Sequence, residues 1–216
     1  MKKTVLIMMA VMCSIGASAQ KYWDSSRADH LVTFGIRAGG NFAKQYAMDD
    51  QADREMSFGY QAGVAVDLNL ARSFSINTGA LFIQKGWKWD YADSRGKQEV
   101  TDNAKYVEIP VLASYRVNLS DQTQFQLNVG PYFAFGISGD QKVTNTFPNG
   151  DNYSIDSFDE YNGGKKFDWG VSIGAAFTFS HIYLGLNYER GLANISNNES
   201  KRFSSGAIAL SLGYNF

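Results

Sequence analysis

The amino-acid sequence predicts an all-β fold, an eight-stranded antiparallel up-and-down β-barrel that crosses a membrane. Three observations carry this. Bulky apolar residues alternate with small or polar ones through eight segments, the two-residue period of a strand rather than the 3.6-residue period of a helix. Phe, Trp, Tyr, Leu and Ile crowd one face of that alternation, while Gly, Ala, Ser, Asn and the charged residues occupy the other. The connections are alternately short and long, as in outer-membrane barrels with short periplasmic turns and long external loops.

The first residues read as an export signal. Lys2 and Lys3 precede an apolar run from Val5 to Met12 and an Ala17-Ser18-Ala19 cleavage site, so residues 1–19 are expected to be a secretory signal peptide. The run is too short to span about 30 Å of hydrocarbon. Cys13, the only cysteine, follows Met12 rather than the small residue that lipid modification of a cysteine requires. Its removal leaves a mature chain with no disulfide and no thiol nucleophile or thiolate ligand. Loss of Lys2 and Lys3 takes the 20 basic residues to 18, against 21 acidic ones, so no positive excess is left to hold nucleic acid. No later run approaches the about 18 apolar residues of a membrane helix, and a secreted chain without one enters a bilayer as a closed barrel. Residues 20–30 are polar and read as a periplasmic arm; residues 31–216 read as the barrel.

The first strand sets Val32, Phe34, Ile36, Ala38 and Phe42 against Thr33, Gly35, Arg37, Gly39 and Asn41. After a polar stretch from Ala43 to Glu55, the second sets Phe58 through Leu70 against Gly59, Gln61, Gly63, Ala65, Asp67 and Asn69. A turn at Ala71-Arg72-Ser73 leads to Phe74, Ile76, Thr78, Ala80 and Phe82; Leu81 and Ile83 break the pattern by falling on the slim face. A polar connection from Trp89 to Ala104 precedes the fourth strand, Val107 to Val117, where Pro110 cannot donate to a ladder and predicts a local break in pairing. Asn118 to Thr123 turns the chain into Phe125 to Ile137. The longest connection, Gly139 to Lys166, is rich in Asn, Asp, Gly and Ser and reads as a solvated loop. The sixth strand runs from Phe167 to Phe179, and Ser180-His181 turns it into Ile182 to Tyr188. A polar loop from Gly191 to Phe203 reaches the last strand, where Ile208, Leu210, Leu212, Tyr214 and Phe216 alternate with Ala207, Ala209, Ser211, Gly213 and Asn215. This strand is expected to pair antiparallel with Val32 to Phe42 and remove both sheet edges.

A barrel of eight strands is narrow, so its interior face must be slim, which places the bulky face in lipid. A soluble barrel would carry Lys and Glu on its outer face, and neither face here does. The interior charges Arg37, Asp67, Lys85, Glu108, Arg116, Asp168 and Glu189 all take the slim phase. Arg or Lys facing lipid at mid-depth costs about 2–4 kcal/mol. Aromatic residues near the strand ends, Phe34, Phe74, Tyr115, Phe125, Phe179 and Tyr214 at one level and Phe42, Phe58, Tyr106, Trp169 and Tyr188 at the other, predict two interfacial girdles.

Five short segments resemble the PorT-like outer-membrane β-barrel family: Gln84-Lys85-Gly86, Tyr106-Val107-Glu108-Ile109-Pro110, Gly130-Pro131-Tyr132, Phe167-Asp168-Trp169-Gly170 and Tyr188-Glu189-Arg190-Gly191-Leu192. The resemblance runs through most of the mature chain and implies an outer-membrane barrel of a Gram-negative cell, within a functionally mixed family.

Three functional readings follow. The seven interior charges form either a structural plug of salt bridges or a gated ion pathway; the narrow interior favours the plug, with Lys85 and Glu108 expected to meet on adjacent strands and Arg37 and Arg116 balanced by Asp67, Asp168 or Glu189. A lipid-modifying enzyme wants a His base beside Ser, but His30 and His181 both fall at the periplasmic end. The external loops are the third candidate, as a surface for protein partners. The acidic and aromatic loop 139–166 matches no Ca²⁺-binding spacing, and neither metal nor cofactor is implied. The expected surroundings are outer-membrane lipid and, during biogenesis, the barrel-assembly machinery, for which Phe216 resembles the recognised terminal aromatic.

Overall fold

A computed structural model describes residues 26, 28, 30–48, 54–120, 122–147, 150–160, 163–197 and 202–216. The expected signal peptide and most of the periplasmic arm lie outside the described residues. Among the described residues twelve strands follow one another: β1 (Val32–Ala47), β2 (Glu55–Ala71), β3 (Phe74–Gln84), β4 (Trp87–Asp93), β5 (Gly96–Asp102), β6 (Lys105–Ser120), β7 (Thr123–Ser138), β8 (Asp140–Asn145), β9 (Tyr153–Asp156), β10 (Phe167–Phe179), β11 (Ile182–Gly191) and β12 (Phe203–Asn215).

Eight of them, in the order β1-β2-β3-β6-β7-β10-β11-β12, make a closed antiparallel barrel. The seam is β12 against β1, in register from Gly35↔Asn215 to Ala47↔Phe203, so the first and last strands leave no open edge. Strand phase follows the size alternation. Phe34, Ile36, Phe42, Phe58, Val64, Leu127, Ile173, Leu184 and Leu210 are exposed on the outside, and Asn41, Gln61, Ala65, Asn128, Ser172, Ala209 and Ser211 are buried inside. The outer aromatics pair across neighbouring strands, Phe42 with Phe58 at 5.5 Å between ring centroids, Phe74 with Tyr115 at 5.3 Å and Phe125 with Phe177 at 5.0 Å. The ladder between β3 and β6 passes from Thr78↔Val111 to Leu81↔Glu108 with no pair opposite Pro110, the local break its missing N–H requires.

Two expectations are corrected. The connections 89–104 and 139–166 are not plain loops: they hold β4, β5, β8 and β9, a second sheet that grows from the end of β2 through Met56↔Trp87 and continues β4-β5-β8-β9. The β4–β5 hairpin turns at Asp93, whose carboxylate accepts from the Arg95 backbone N–H at 2.8 Å and the Arg95 guanidinium at 2.9 Å. Tyr106 belongs to no outer girdle. It is buried inside with Ile83, Ala104, Tyr132, Ala134 and Phe158 in an apolar cluster at the mouth of the barrel. That cluster also explains why Ile83 breaks the size alternation of its strand. Phe158 reaches it from the second long connection, its ring filling the space that a side chain at Gly136 would take.

Because Leu210 is 56% exposed toward lipid and Ser211 is buried, Leu210→Arg should destabilise the folded barrel by about 2–4 kcal/mol. Ser211→Ala removes only the hydroxyl that accepts from Gln61 at 2.7 Å, at a cost of about 1 kcal/mol. Denaturant unfolding in lipid vesicles, read by heat-modifiable gel migration, separates the two; equal effects would invert the assigned faces.

Candidate functional site

The barrel interior holds two charge clusters, each built by strand register. In the first, Glu108 on β6, Ala134 on β7 and Asp168 on β10 are direct partners across three strands, so two carboxylates flank one small residue. Lys85, just beyond β3, sets its Nζ 2.6 Å from Glu108 Oε2 and 2.8 Å from Glu189 Oε2 of β11, the second contact an ion pair not aligned as a hydrogen bond. The same Nζ lies 4.1 Å from the centre of the Tyr132 ring. The Tyr132 hydroxyl donates to Asp168 Oδ2 at 3.2 Å and meets Ser205 Oγ at 2.9 Å, and Ser205 Oγ donates to the same Asp168 oxygen at 2.6 Å. Lys85, Glu108, Tyr132, Asp168 and Glu189 are all buried.

The second cluster lies toward the short turns. Arg116 on β6 pairs with Asp67 Oδ1 on β2 at 2.8 Å and donates to Asn69 Oδ1 at 2.5 Å, while Asn77 donates to the same Asp67 oxygen at 2.9 Å. Between the clusters, Ser114 donates to Asn128 Oδ1 at 2.6 Å, and Gln126 donates to the same atom at 2.6 Å. A cavity of about 50 Å³, lined in part by Arg37, Glu108 and Glu189, lies in this region.

The predicted residues therefore divide. Lys85, Glu108, Glu189 and Asp168 come together, and Asp67 meets Arg116. Arg37 makes no direct ion pair with a carboxylate among the described residues, although the charge of Asp67 acts on it at longer range. Its guanidinium lies 3.8 Å over the Tyr183 ring and donates to Asn215 Oδ1 at 2.7 Å and to the Ile36 carbonyl at 3.0 Å. A planar cation can be held by an aromatic face and amide oxygens without a formal counter-charge. Phe216 is 71% exposed at the barrel rim, its backbone N–H bonded to the Phe34 carbonyl at 2.9 Å. Tyr132 figures in the sequence reading only as the end of the Gly130-Pro131-Tyr132 segment, not among the interior site residues, and Ser205 is not among them either, although a tyrosine on the slim face of a narrow barrel is itself a signal.

Above the upper charge cluster the second sheet and the ends of the barrel strands line a cavity of about 550 Å³. Trp87, Trp89, Tyr106 and Phe203 supply aromatic walls, with Arg54 and Asp102 between them. The Arg54 guanidinium lies over Trp87 at 4.7 Å, Phe203 at 5.1 Å and Trp89 at 5.5 Å, with its Nε unpartnered. Asp102 accepts from Ser157 Oγ at 2.6 Å and from the Ala104 N–H at 3.4 Å; burial pushes its carboxyl up to about 7. One hint of this cup is legible in the sequence, the Trp87-x-Trp89 alternation at the start of a mostly polar stretch.

A closed eight-stranded barrel with a polar, ion-paired interior and an apolar, aromatic exterior is a transmembrane barrel of the outer-membrane class. Residues 18–197 match the family described as outer membrane protein beta-barrel domain, and the chain belongs to that family. No curated protein matches it. Among solved structures, similarity extends to OprG of Pseudomonas aeruginosa at 12% identity, covering 89% of this chain and 98% of that one with a TM-score of 0.45. It extends also to Ail of Yersinia pestis, in complex with the heparin analogue sucrose octasulfate, at 12% identity, 87% and 100% coverage and a TM-score of 0.43. Neisserial surface protein A follows at 10% identity, 85% and 97% coverage and a TM-score of 0.41.

Two outcomes are expected. Lys85→Met leaves buried carboxylates without their cation and should cost about 3–5 kcal/mol in unfolding free energy. The triple change Lys85→Met, Glu108→Gln, Glu189→Gln should recover most of that loss, and a triple variant no more stable than the single one would show that the ion pairs are not what Lys85 supplies. For Asp102, the carboxyl rises from 3.8 to about 7 on folding, so its contribution is fully present below 3.8 and is lost as pH rises through about 7. The protection of β4 and β5 against hydrogen exchange, after division by the intrinsic pH-dependent exchange rate, should accordingly fall from acid to neutral pH, and Asp102→Asn should flatten that fall.

Proposed function

We propose that this chain is a non-enzymatic envelope barrel whose lumen is a structural plug and whose working surface is the external sheet with its aromatic cup. The observation that carries this reading is the contrast between the two cavities: about 50 Å³ inside the barrel, room for little more than one or two waters, and about 550 Å³ outside it. The cup has the make-up of a recognition site, aromatic faces around a cation and a buried carboxyl on a rigid ladder. Its size suits a small ligand or a few side chains of a partner protein.

Placement in the PorT-like branch is also part of the proposal. It is supported by the five resembling segments, each of which donates one member to the upper cluster: Lys85, Glu108, Tyr132, Asp168 and Glu189. Against a lipid-modifying enzyme, His181 is held at the opposite end of the barrel, its Nδ1 2.9 Å from the Asn215 carbonyl and its ring stacked on Tyr214 at 5.3 Å. A signal peptide at residues 1–19 and recognition of Phe216 by the assembly machinery complete the reading.

A photo-crosslinking residue placed at Trp89 in intact cells should yield defined adducts, whereas one at Leu127 on the lipid face should not. Planar-bilayer recordings should show no steady conductance. Conductance that changes with Glu108→Gln, together with no adduct at Trp89, would replace this reading with that of a narrow pore.

A further inference from the structure

The wall that the external sheet gives to the cup is banded. Strand register puts Trp89, Val100, Val143 and Tyr153 in one row across β4, β5, β8 and β9, every member apolar or aromatic. Two residues along the strands in one direction, Asp102 and Gln141 stand side by side. Two residues the other way on β5 stands Gln98. All of these line the cavity of about 550 Å³, as residues of one strand phase must. An apolar band is thus edged on both sides by hydrogen-bonding groups.

Aromatic surface also continues out of the cavity. The Trp89 and Tyr91 rings are 6.5 Å apart with 14° between their planes, and Tyr91 and Phe147 are 6.5 Å apart at 23°. Phe147 packs on Gly96, in space that a side chain there would fill. Three nearly parallel rings therefore lead from the cavity to the tip of the β4–β5 hairpin, with Tyr91 half exposed between them.

The charged groups among the described lining residues are Arg54 and Asp102, of opposite sign. Such a lining gathers neither the positive charge that a phosphate or sulfate wants nor the negative charge that an amine wants. An extended peptide would seek a free strand edge for its backbone, whereas these groups stand on a sheet face. The matching ligand is apolar on its ring faces and rimmed by groups that both donate and accept. A pyranose has that make-up, with C–H bonds on its faces and hydroxyls around its edge. We propose that the cup binds a neutral oligosaccharide, one sugar ring on the apolar band and further rings along Trp89, Tyr91 and Phe147. This rests on the reading of the cup as the recognition surface and adds the class of ligand. The Gln98 and Gln141 amides suit hydroxyls because each has both a donor and an acceptor. The ladder holds band and edges in place beforehand, so little ordering is left to be done on binding.

The barrel in nanodiscs can be titrated with neutral mono-, di- and trisaccharides of glucose, galactose, mannose and N-acetylglucosamine, and with a sulfated trisaccharide as control. Saturation-transfer NMR and the fluorescence of Trp87 and Trp89 read binding. At least one neutral series should bind, and more tightly as it lengthens from one ring to three. Gln141→Ala should weaken every member of that series by about fivefold. Tyr91→Ala should weaken the trisaccharide by about fivefold and leave the monosaccharide unchanged, with heat-modifiable migration intact in both variants. No binding across the panel, tighter binding of the sulfated sugar, or binding unchanged in both variants would overturn the proposal. If Trp89 still yields crosslinked protein adducts while the panel is silent, the cup remains a recognition surface and only the saccharide is lost. Silence in both experiments removes the recognition surface as well.

Discussion

Lys85 is the ion around which the interior is arranged. Its ammonium sits 2.6 Å from Glu108 and 2.8 Å from Glu189, with the Tyr132 ring 4.1 Å away, and Tyr132 passes the network on to Asp168 and Ser205. Those partners come from β6, β11, β7, β10 and β12, so one buried cation ties most of the barrel circumference together. Burying an ion costs several kcal/mol, and attraction offsets that only when the geometry is good and the remaining donors and acceptors are satisfied. The constraint therefore runs outward from the ion: the strands must keep one register, because a slip by a single residue would turn every carboxylate toward lipid.

The same constraint sets the size alternation. A narrow lumen that must hold Lys85, three carboxyls and a tyrosine has room beside them only for small residues, and Ala134 between Glu108 and Asp168 is the clearest case. Bulk is excluded from the inside and displaced to the outside, where Phe, Leu and Ile are what lipid favours. The slim face and the greasy face are thus two results of one requirement. The lower cluster repeats it with Arg116, Asp67, Asn69 and Asn77.

How much of this was legible in the sequence follows from the period of the pattern. Within the bilayer, one face meets lipid and the other meets polar groups, so strand phase can be read from residue size alone, and the eight barrel strands and the seam were readable. Beyond the bilayer, both faces of β5 and β8 meet water or a polar cavity, the alternation vanishes, and Gly96–Asp102 looks like a loop. Partners were less legible than phase. Lys85 with Glu108 was accessible because adjacent strands bring the two together, whereas Lys85 with Glu189 joins strands far apart around the barrel. The direct contacts of Arg37 are not legible in the sequence because Tyr183 and Asn215 carry no formal charge. Tyr106 was placed in the outer girdle because it is aromatic and near a strand end, although its phase put it inside.

Plug and cup are also physically joined, and this bears on why the external sheet is ordered at all. Strands β1, β2, β6 and β7 are 16 or 17 residues long, against 11 for β3, so they overrun the point where β3 stops. An overrunning strand exposes unpaired N–H and C=O groups; β4 covers those of β2, and β5, β8 and β9 follow by the same logic. At the junction the Lys85 N–H donates to the Ala104 carbonyl at 2.9 Å, and the Ala104 N–H donates to Asp102. Tyr106 and Ala104 belong at once to the apolar cluster that seals the lumen and to the lining of the cup. The floor of the cup is the roof of the ion-paired lumen. The aromatic walls of the cup are thus anchored on residues packed against the buried ions of the lumen, an attachment that a set of solvated loops would lack.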